Sequence, residues 1–100
     1  MEIINSPYIS EKIKHPKRIL RKLRRNKLVP GVFLIRLAYE PDQLEIIRAD
    51  LFKQTMLNDE KLMIVGICKD YSDACDMIVR MTDDAIATFG TPNLRKLVLR

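Results

Sequence analysis

The sequence lacks acidic residues over a long stretch, since no aspartate or glutamate lies between Glu11 and Glu40. Nine lysines and arginines fall within positions 12–27 of the same stretch. A segment with so much charge of one sign repels itself, so we expect an anionic group beside it. That group could be an acidic part of the protein itself or an outside partner, and the sequence leaves both possibilities open.

Histidine and cysteine are also scarce, which argues against most catalytic and metal sites. His15 is the single histidine, so a histidine-based triad would have to use it, and a surface position before a helix is the simpler interpretation. Cys68 and Cys75 lie seven positions apart and form no CxxC pair, so we interpret them as buried thiols. A zinc site would lack ligands. We therefore predict no catalytic residue, no cofactor and no metal.

No apolar run approaches the roughly 18 residues of a membrane span, so we predict no membrane-spanning segment. The first residues do not combine a charged start with an apolar stretch, which predicts no signal peptide. With no disulfide framework to suggest secretion, a cytoplasmic location is the expectation.

The length and composition indicate one small globular domain. A chain of 100 residues with 47% hydrophobic residues can bury a core, although a thin one. Self-association would bury more surface. The net charge of +5 is uneven, since residues 1–30 carry +7, residues 31–90 carry −5 and residues 91–100 carry +3. Such asymmetry suggests an electrostatic partner or internal pairing.

Proline placement predicts an N-terminal arm followed by a basic helix. We expect residues 1–15, interrupted by a proline, to form an arm outside the α/β domain of residues 16–100. Proline at position 16 suits a first helical turn, which predicts a helix over about residues 16–27. At ~100° per residue, Leu20 and Leu23 share a narrow apolar stripe with the isoleucine at position 19. The opposite arc holds the candidate contact residues Lys17, Arg18, Arg21, Lys22, Arg24 and Arg25.

Short apolar runs rich in β-branched residues predict the strands. Residues 32–39 and 44–47 are expected to pair antiparallel through a turn at 40–43. Residues 62–68 form the clearest strand, and residues 94–99 are expected to form the last one. Segment 48–57 fits either a short helix or a loop.

A long helix is predicted over about residues 73–89, with Ser72 as its N-cap and Gly90 as its end. The apolar face is expected to contain Ala74, Cys75, Ile78, Val79, Ala85, Ile86 and Phe89. The acidic face is expected to contain Asp73, Asp76, Asp83 and Asp84, interpreted as solvated rather than as a metal site. With the strands on either side, this helix would complete a right-handed crossover.

These elements predict a mixed α+β fold with a mixed sheet of three or four strands, covered by the long helix. Gly66 is expected to let another element pack closely. The turn at 66–72 has the position of many α/β ligand sites, but Asp70 and Asp73 would oppose an anion there.

The favoured function is a non-enzymatic interaction module that self-associates and uses the basic helix as a contact surface. A nucleic-acid-binding accessory protein is the main alternative, and an acidic protein is a third possible partner. No aromatic residue is interleaved with the bases, and no second helix precedes the basic helix at helix-turn-helix spacing, which counts against nucleic acid. A lipid surface is disfavoured because the apolar stripe is narrow and lacks Trp and Phe. The hypothesis of a small enzyme is the least supported.

Overall fold

The computed structural model describes residues 2–25, 27, 29–37, 44–49 and 63–99. In chain order, the described elements are β1 (Glu2–Ile9), α1 (Pro16–Arg24), β2 (Phe33–Leu37), β3 (Leu44–Arg48), β4 (Met63–Cys68), α2 (Tyr71–Phe89) and α3 (Leu94–Val98). The predicted small α+β domain with a mixed sheet is confirmed, with four strands in the sheet. The turn at 40–43 and residues 50–57 of the ambiguous segment lie outside the described residues.

The four strands form one sheet in the order β1-β4-β2-β3. β2 runs antiparallel to both of its neighbours, as predicted for its pairing with β3, whereas β1 and β4 are parallel. Successive residues of β2 point to opposite faces, so Leu34 and Ile35 are both buried but belong to different clusters. β2 is therefore a central strand covered on both faces, as its sequence, apolar except for Arg36, indicates.

The two faces of the sheet carry separate cores. The core beneath α1 comprises Leu23, Val29, Val32, Leu34, Ala49, Ile64 and Ile67. The core beneath α2 and α3 comprises Ile35, Leu37, Val65, Cys68, Ala74, Met77, Met81, Ala85, Leu97 and Val98. The basic helix and the long acidic helix thus lie on opposite sides of the sheet, which is the feature of the fold that matters most for the site.

The expectation of an irregular arm at the N-terminus is wrong for residues 2–9, because they form the edge strand β1. β1 pairs with β4 at both ends, but its register shifts between Ile3 and Tyr8. Pro7 lies within this irregular stretch of an edge strand, where a missing N–H costs no ladder hydrogen bond. The proline therefore interrupts the pairing without preventing the strand.

The predicted C-terminal strand is also wrong, since residues 94–98 form the short helix α3. The side chain of Asn93 caps it by accepting a hydrogen bond from the Lys96 N–H at 3.0 Å. Leu94, Leu97 and Val98 follow the i, i+3, i+4 spacing of a helix and pack on the core beneath α2. Without a strand here, the expected crossover after β4 does not form.

The long helix is confirmed in extent, but its N-cap is Asp70 rather than Ser72. The Asp70 carboxylate accepts a hydrogen bond from the Asp73 N–H at 2.7 Å, so α2 begins at Tyr71. Gly90 ends the helix as predicted, with φ 75°, the left-handed conformation that glycine adopts without steric cost.

The buried face of α2 is rotated from the predicted one. Val79 and Ile86, expected in the core, are 61% and 47% exposed, whereas Met77 and Met81 are 5% and 0% exposed. Gly66 lies beneath this face, and a Cβ there would lie 3.2 Å from Ile35 Cδ1 and 3.3 Å from the sulfur of Met77. The absent side chain lets α2 approach β4 along its methionine face, as expected for a glycine that permits close packing.

No helix among the described residues is long and apolar enough to cross a membrane.

Candidate functional site

The candidate site is built on α1, which is held to the sheet by a small apolar stripe. Leu23 is completely buried, and Ile19 and Leu20 pack beside it. Nine residues are too few for a helix that is stable alone in water, so this packing maintains the helical conformation. The helix begins at Pro16, as predicted, and ends at Arg24, three residues earlier than predicted.

The six predicted contact residues are all exposed on the side of α1 that faces away from the sheet. We call this set the basic surface. Around the helix, it runs in the order Arg24, Lys17, Arg21, Arg25, Arg18 and Lys22. At 3.6 residues per turn, these positions span an arc of about 160°. Arg21 and Arg25 occupy its middle, and two bases lie on each flank.

The basic surface is not neutralised by the acidic helix, because α2 lies across the sheet. Within the described ranges, no ion pair connects any of its six residues to an acid. An ion pair between Arg36 Nε and Glu45 Oε2, 2.9 Å apart, links β2 and β3 instead. The first turn of α1 contains no acid to balance Lys17 and Arg18 against the helix dipole. The acidic helix α2 therefore does not neutralise the basic surface.

Two shallow grooves lie along the basic surface. One, of about 330 Å³, is lined by Lys17, Leu20, Arg21, Arg24 and Arg25. The other, of about 410 Å³, is lined by His15, Pro16, Lys17, Arg18 and Arg21. His15 occupies the N-cap position with φ 56° and makes no side-chain cap. Open cationic grooves that share Lys17 and Arg21 suit an extended anion better than a small enclosed substrate.

The turn between β4 and α2 is not a comparable anion site. Asp70 already accepts the Asp73 N–H, and Asp73 accepts a hydrogen bond from the Lys69 N–H at 2.9 Å. Burial disfavours the ionised form of Asp73. The hydrogen bonds from Lys69 and Ser10, with the charges of Lys12 and Lys69, outweigh burial and lower the pKa of this carboxyl group. These carboxylates hold the turn together and would repel an anion.

The thiol of Cys68 offers little reactivity. Cys68 is fully buried, as predicted, and its thiol lies 3.5 Å from the sulfur of Met77. Burial, followed by the charges of Asp73 and Asp70, raises the pKa of Cys68 to about 12. A thiol with such a pKa stays protonated at neutral pH and is a poor nucleophile. Cys75, also predicted to be buried, is only half-buried.

The acids of α2 do not form the uniform solvated face that their spacing predicts. Asp76 and Asp83 are exposed, but Asp84 accepts a hydrogen bond from the Tyr8 hydroxyl at 2.8 Å, and Asp73 is buried. In the part of the chain that the structure describes, no three His, Cys, Asp or Glu side chains come together as a possible metal site. Tyr8 lies 76 positions from its partner, and no local pattern in the sequence could have indicated that contact.

Sequence reasoning also missed an exposed apolar strip on α2, formed by Tyr71, Val79 and Ile86. The sequence did contain a signal for this strip. The helix has a second apolar face with Met77 and Met81, and burial of that face leaves Val79 and Ile86 exposed.

Comparison with models of known protein families, with curated proteins and with solved structures finds no match.

Proposed function

We propose that this protein is a non-enzymatic interaction module that holds an extended anionic partner against the basic surface of α1. One observation carries the proposal. Six exposed bases share one side of a helix, and the acidic helix of the same chain lies across the sheet from them. The self-repulsion of this surface is relieved most simply by a partner of opposite charge.

The charge density of the basic surface favours a polyanion. From Lys17 to Arg25, the C-cap residue of α1, the chain rises about 12 Å along the helix axis, so the six cations average about one per 2 Å. A nucleic-acid duplex carries one negative charge per about 1.7 Å, a closely similar density. Single exposed ion pairs contribute only about 0–1 kcal/mol each, so binding requires several contacts at once. A partner with one or two carboxylates would provide too few.

The proposal is tested by retention on an immobilised sulfated polysaccharide such as heparin, a general polyanion. We expect the protein to be retained at low salt and released by added salt. The variant Arg21→Gln/Arg25→Gln, which removes the middle of the basic surface, should elute at distinctly lower salt. Arg80→Gln removes an exposed base from α2 and is the matched control, which should elute with the unaltered protein. A protein that passes through the column at low salt would refute the proposal.

Self-association is a second candidate, and the apolar strip on α2 favours it. Tyr71, Val79 and Ile86 fall within an arc of about 80° and are 61%, 61% and 47% exposed. Two copies could pair these strips antiparallel. Contact between two α1 helices would instead bring like charges together. The apolar strip and the basic surface face opposite sides of the sheet, so self-association would leave the basic surface free.

Sedimentation velocity over a range of protein concentrations tests this second candidate. We expect a concentration-dependent dimer that is weakened in Val79→Ser/Ile86→Ser, because both substitutions remove exposed apolar surface without opening the core. A protein that remains monomeric at every concentration would rule it out.

A further inference from the structure

We infer that the polyanion is a B-form DNA duplex and that α1 lies in its major groove. This inference rests on the proposed function and adds the shape of the partner. Lys17 and Arg24 would contact the phosphates of one strand, and Arg18 and Lys22 those of the other. Arg21 and Arg25 would face the floor of the groove.

The arrangement of the bases into two flanks supports a groove with two charged edges. A helix with its side chains is about 10–12 Å across, so the flanks of the basic surface are separated by about that distance. The major groove of B-form DNA is about 12 Å wide and has a phosphate backbone along each edge. A single strand offers one row of phosphates and would leave one flank without contacts.

The position of α1 on the sheet allows it to enter such a groove. Leu23 is fully buried against the sheet, while the basic surface faces outward. The helix therefore projects from the sheet by roughly its own diameter of about 10 Å. The major groove is about 8.5 Å deep, so the basic surface would reach the base edges before the sheet met the backbone.

The positions of the aromatic residues count against single-stranded nucleic acid. Tyr8, Phe33 and Phe89 pack into the core on the α2 side of the sheet, and Tyr71 belongs to α2 itself. None of these described aromatic residues lies on the side of α1, where bases of a single strand would need surfaces on which to stack. Duplex RNA fits poorly because its major groove is too narrow and deep for a helix.

The inference is tested by fluorescence anisotropy with a labelled DNA duplex of about 20 base pairs. Double-stranded RNA and single-stranded DNA of the same sequence, together with heparin, serve as competitors. We expect duplex DNA to bind most tightly. Four flank contacts correspond to a salt slope of about −3.6, so raising salt from about 50 to 200 mM should weaken binding about 150-fold.

The two flanks should contribute equally. Arg18→Gln/Lys22→Gln and Lys17→Gln/Arg24→Gln should each reduce the salt slope by about 1.8, whereas the control Arg80→Gln should leave it unchanged. Circular dichroism checks that each variant remains folded.

Three outcomes would overturn the inference. Duplex RNA or single-stranded DNA could compete as well as duplex DNA, or only one flank pair could affect binding. In either case, retention on heparin would leave the proposed function intact. A protein that binds neither the duplex nor heparin at low salt would refute both.

Discussion

Replacing Arg18 with glutamine should stabilise this protein, because repulsion between the like charges of the basic surface destabilises the folded state. Arg18 is exposed in the first turn of α1, and Arg21 and Lys22 lie three and four positions after it. Side chains at these spacings are neighbours on a helix. The substitution therefore removes two repulsive pairs and a cation near the positive end of the helix dipole.

The expected gain follows from the number of interactions removed. Like-charged pairs at these spacings each cost about 0.2–0.5 kcal/mol, which amounts to about 0.4–1 kcal/mol for two pairs. Relief of the unfavourable dipole interaction adds about 0.3–1 kcal/mol. Arginine and glutamine have similar helix propensities, so the free energy of unfolding should rise by about 0.7–2 kcal/mol at low salt.

Arg80→Gln is a control for which the expected change in the free energy of unfolding has the opposite sign. Arg80 is exposed in the middle of α2, and Asp76, Asp83 and Asp84 lie at helical neighbour positions. Removing three attractive pairs should lower the free energy of unfolding by about 0.6–1.5 kcal/mol. Urea denaturation at low salt measures both effects. At about 1 M salt, where the screening length is about 3 Å, both should shrink.

A loss of stability in Arg18→Gln at low salt, similar to that in Arg80→Gln, would refute this reasoning. It would mean that an acidic group of the chain neutralises the first turn of α1, and the argument for an outside anion would lose its basis. The expected combination of higher stability and weaker polyanion binding would separate a binding role from a structural one.

Two further predictions concern α2. Met81→Ala should lower the free energy of unfolding by about 2–5 kcal/mol, because Met81 is fully buried. The control Val79→Ala, at an exposed position, should change it by less than about 0.5 kcal/mol. Equal losses of stability for the two variants in denaturant titrations would contradict the observed buried face of α2. Asp73→Asn should cost about 1.5–3 kcal/mol at neutral pH, through weaker hydrogen bonds from Lys69 and Ser10. Folding lowers the pKa of Asp73, so the ionised carboxylate contributes its full stabilisation of the folded state above about pH 4. This stabilisation is lost as the pH falls through the lowered pKa. Thermal denaturation should therefore show the stabilities of the variant and the unaltered protein converging in acid. A difference in stability between the variant and the unaltered protein that persists unchanged in acid would show that the charge of the Asp73 carboxylate does not cause the loss.

The elements with a strong local pattern were predictable. β4 is a continuous apolar run and β2 is apolar except for Arg36, while α2 combines a long helical periodicity with a glycine that ends it. β1 and α3 were missed because their local signals conflict. Pro7 disfavours a strand, and the apolar residues of 94–99 fit a strand nearly as well as a helix. Pairing with β4 makes residues 2–9 a strand, and capping by Asn93 with packing beneath α2 makes residues 94–98 a helix.

The orientation of α2 could not be read from periodicity. Val79 and Ile86 are as apolar as Met77 and Met81, so either pair could have formed the buried face. Contacts distant in the sequence, namely Tyr8 with Asp84 and Ser10 with Asp73, turn one side of the helix toward β1. The missing side chain of Gly66 leaves room for the methionine face.

The sequence by itself determined that the six bases of α1 and its C-cap share one side, because helix geometry converts the spacing of neighbouring residues directly into an angle around the axis. Only the tertiary structure decided that the acidic helix α2 does not lie against this side. The path of the chain through the sheet sends α1 to one face and α2 to the other. Charges separated by a packed apolar layer cannot form ion pairs, so the basic surface remains directed toward solvent.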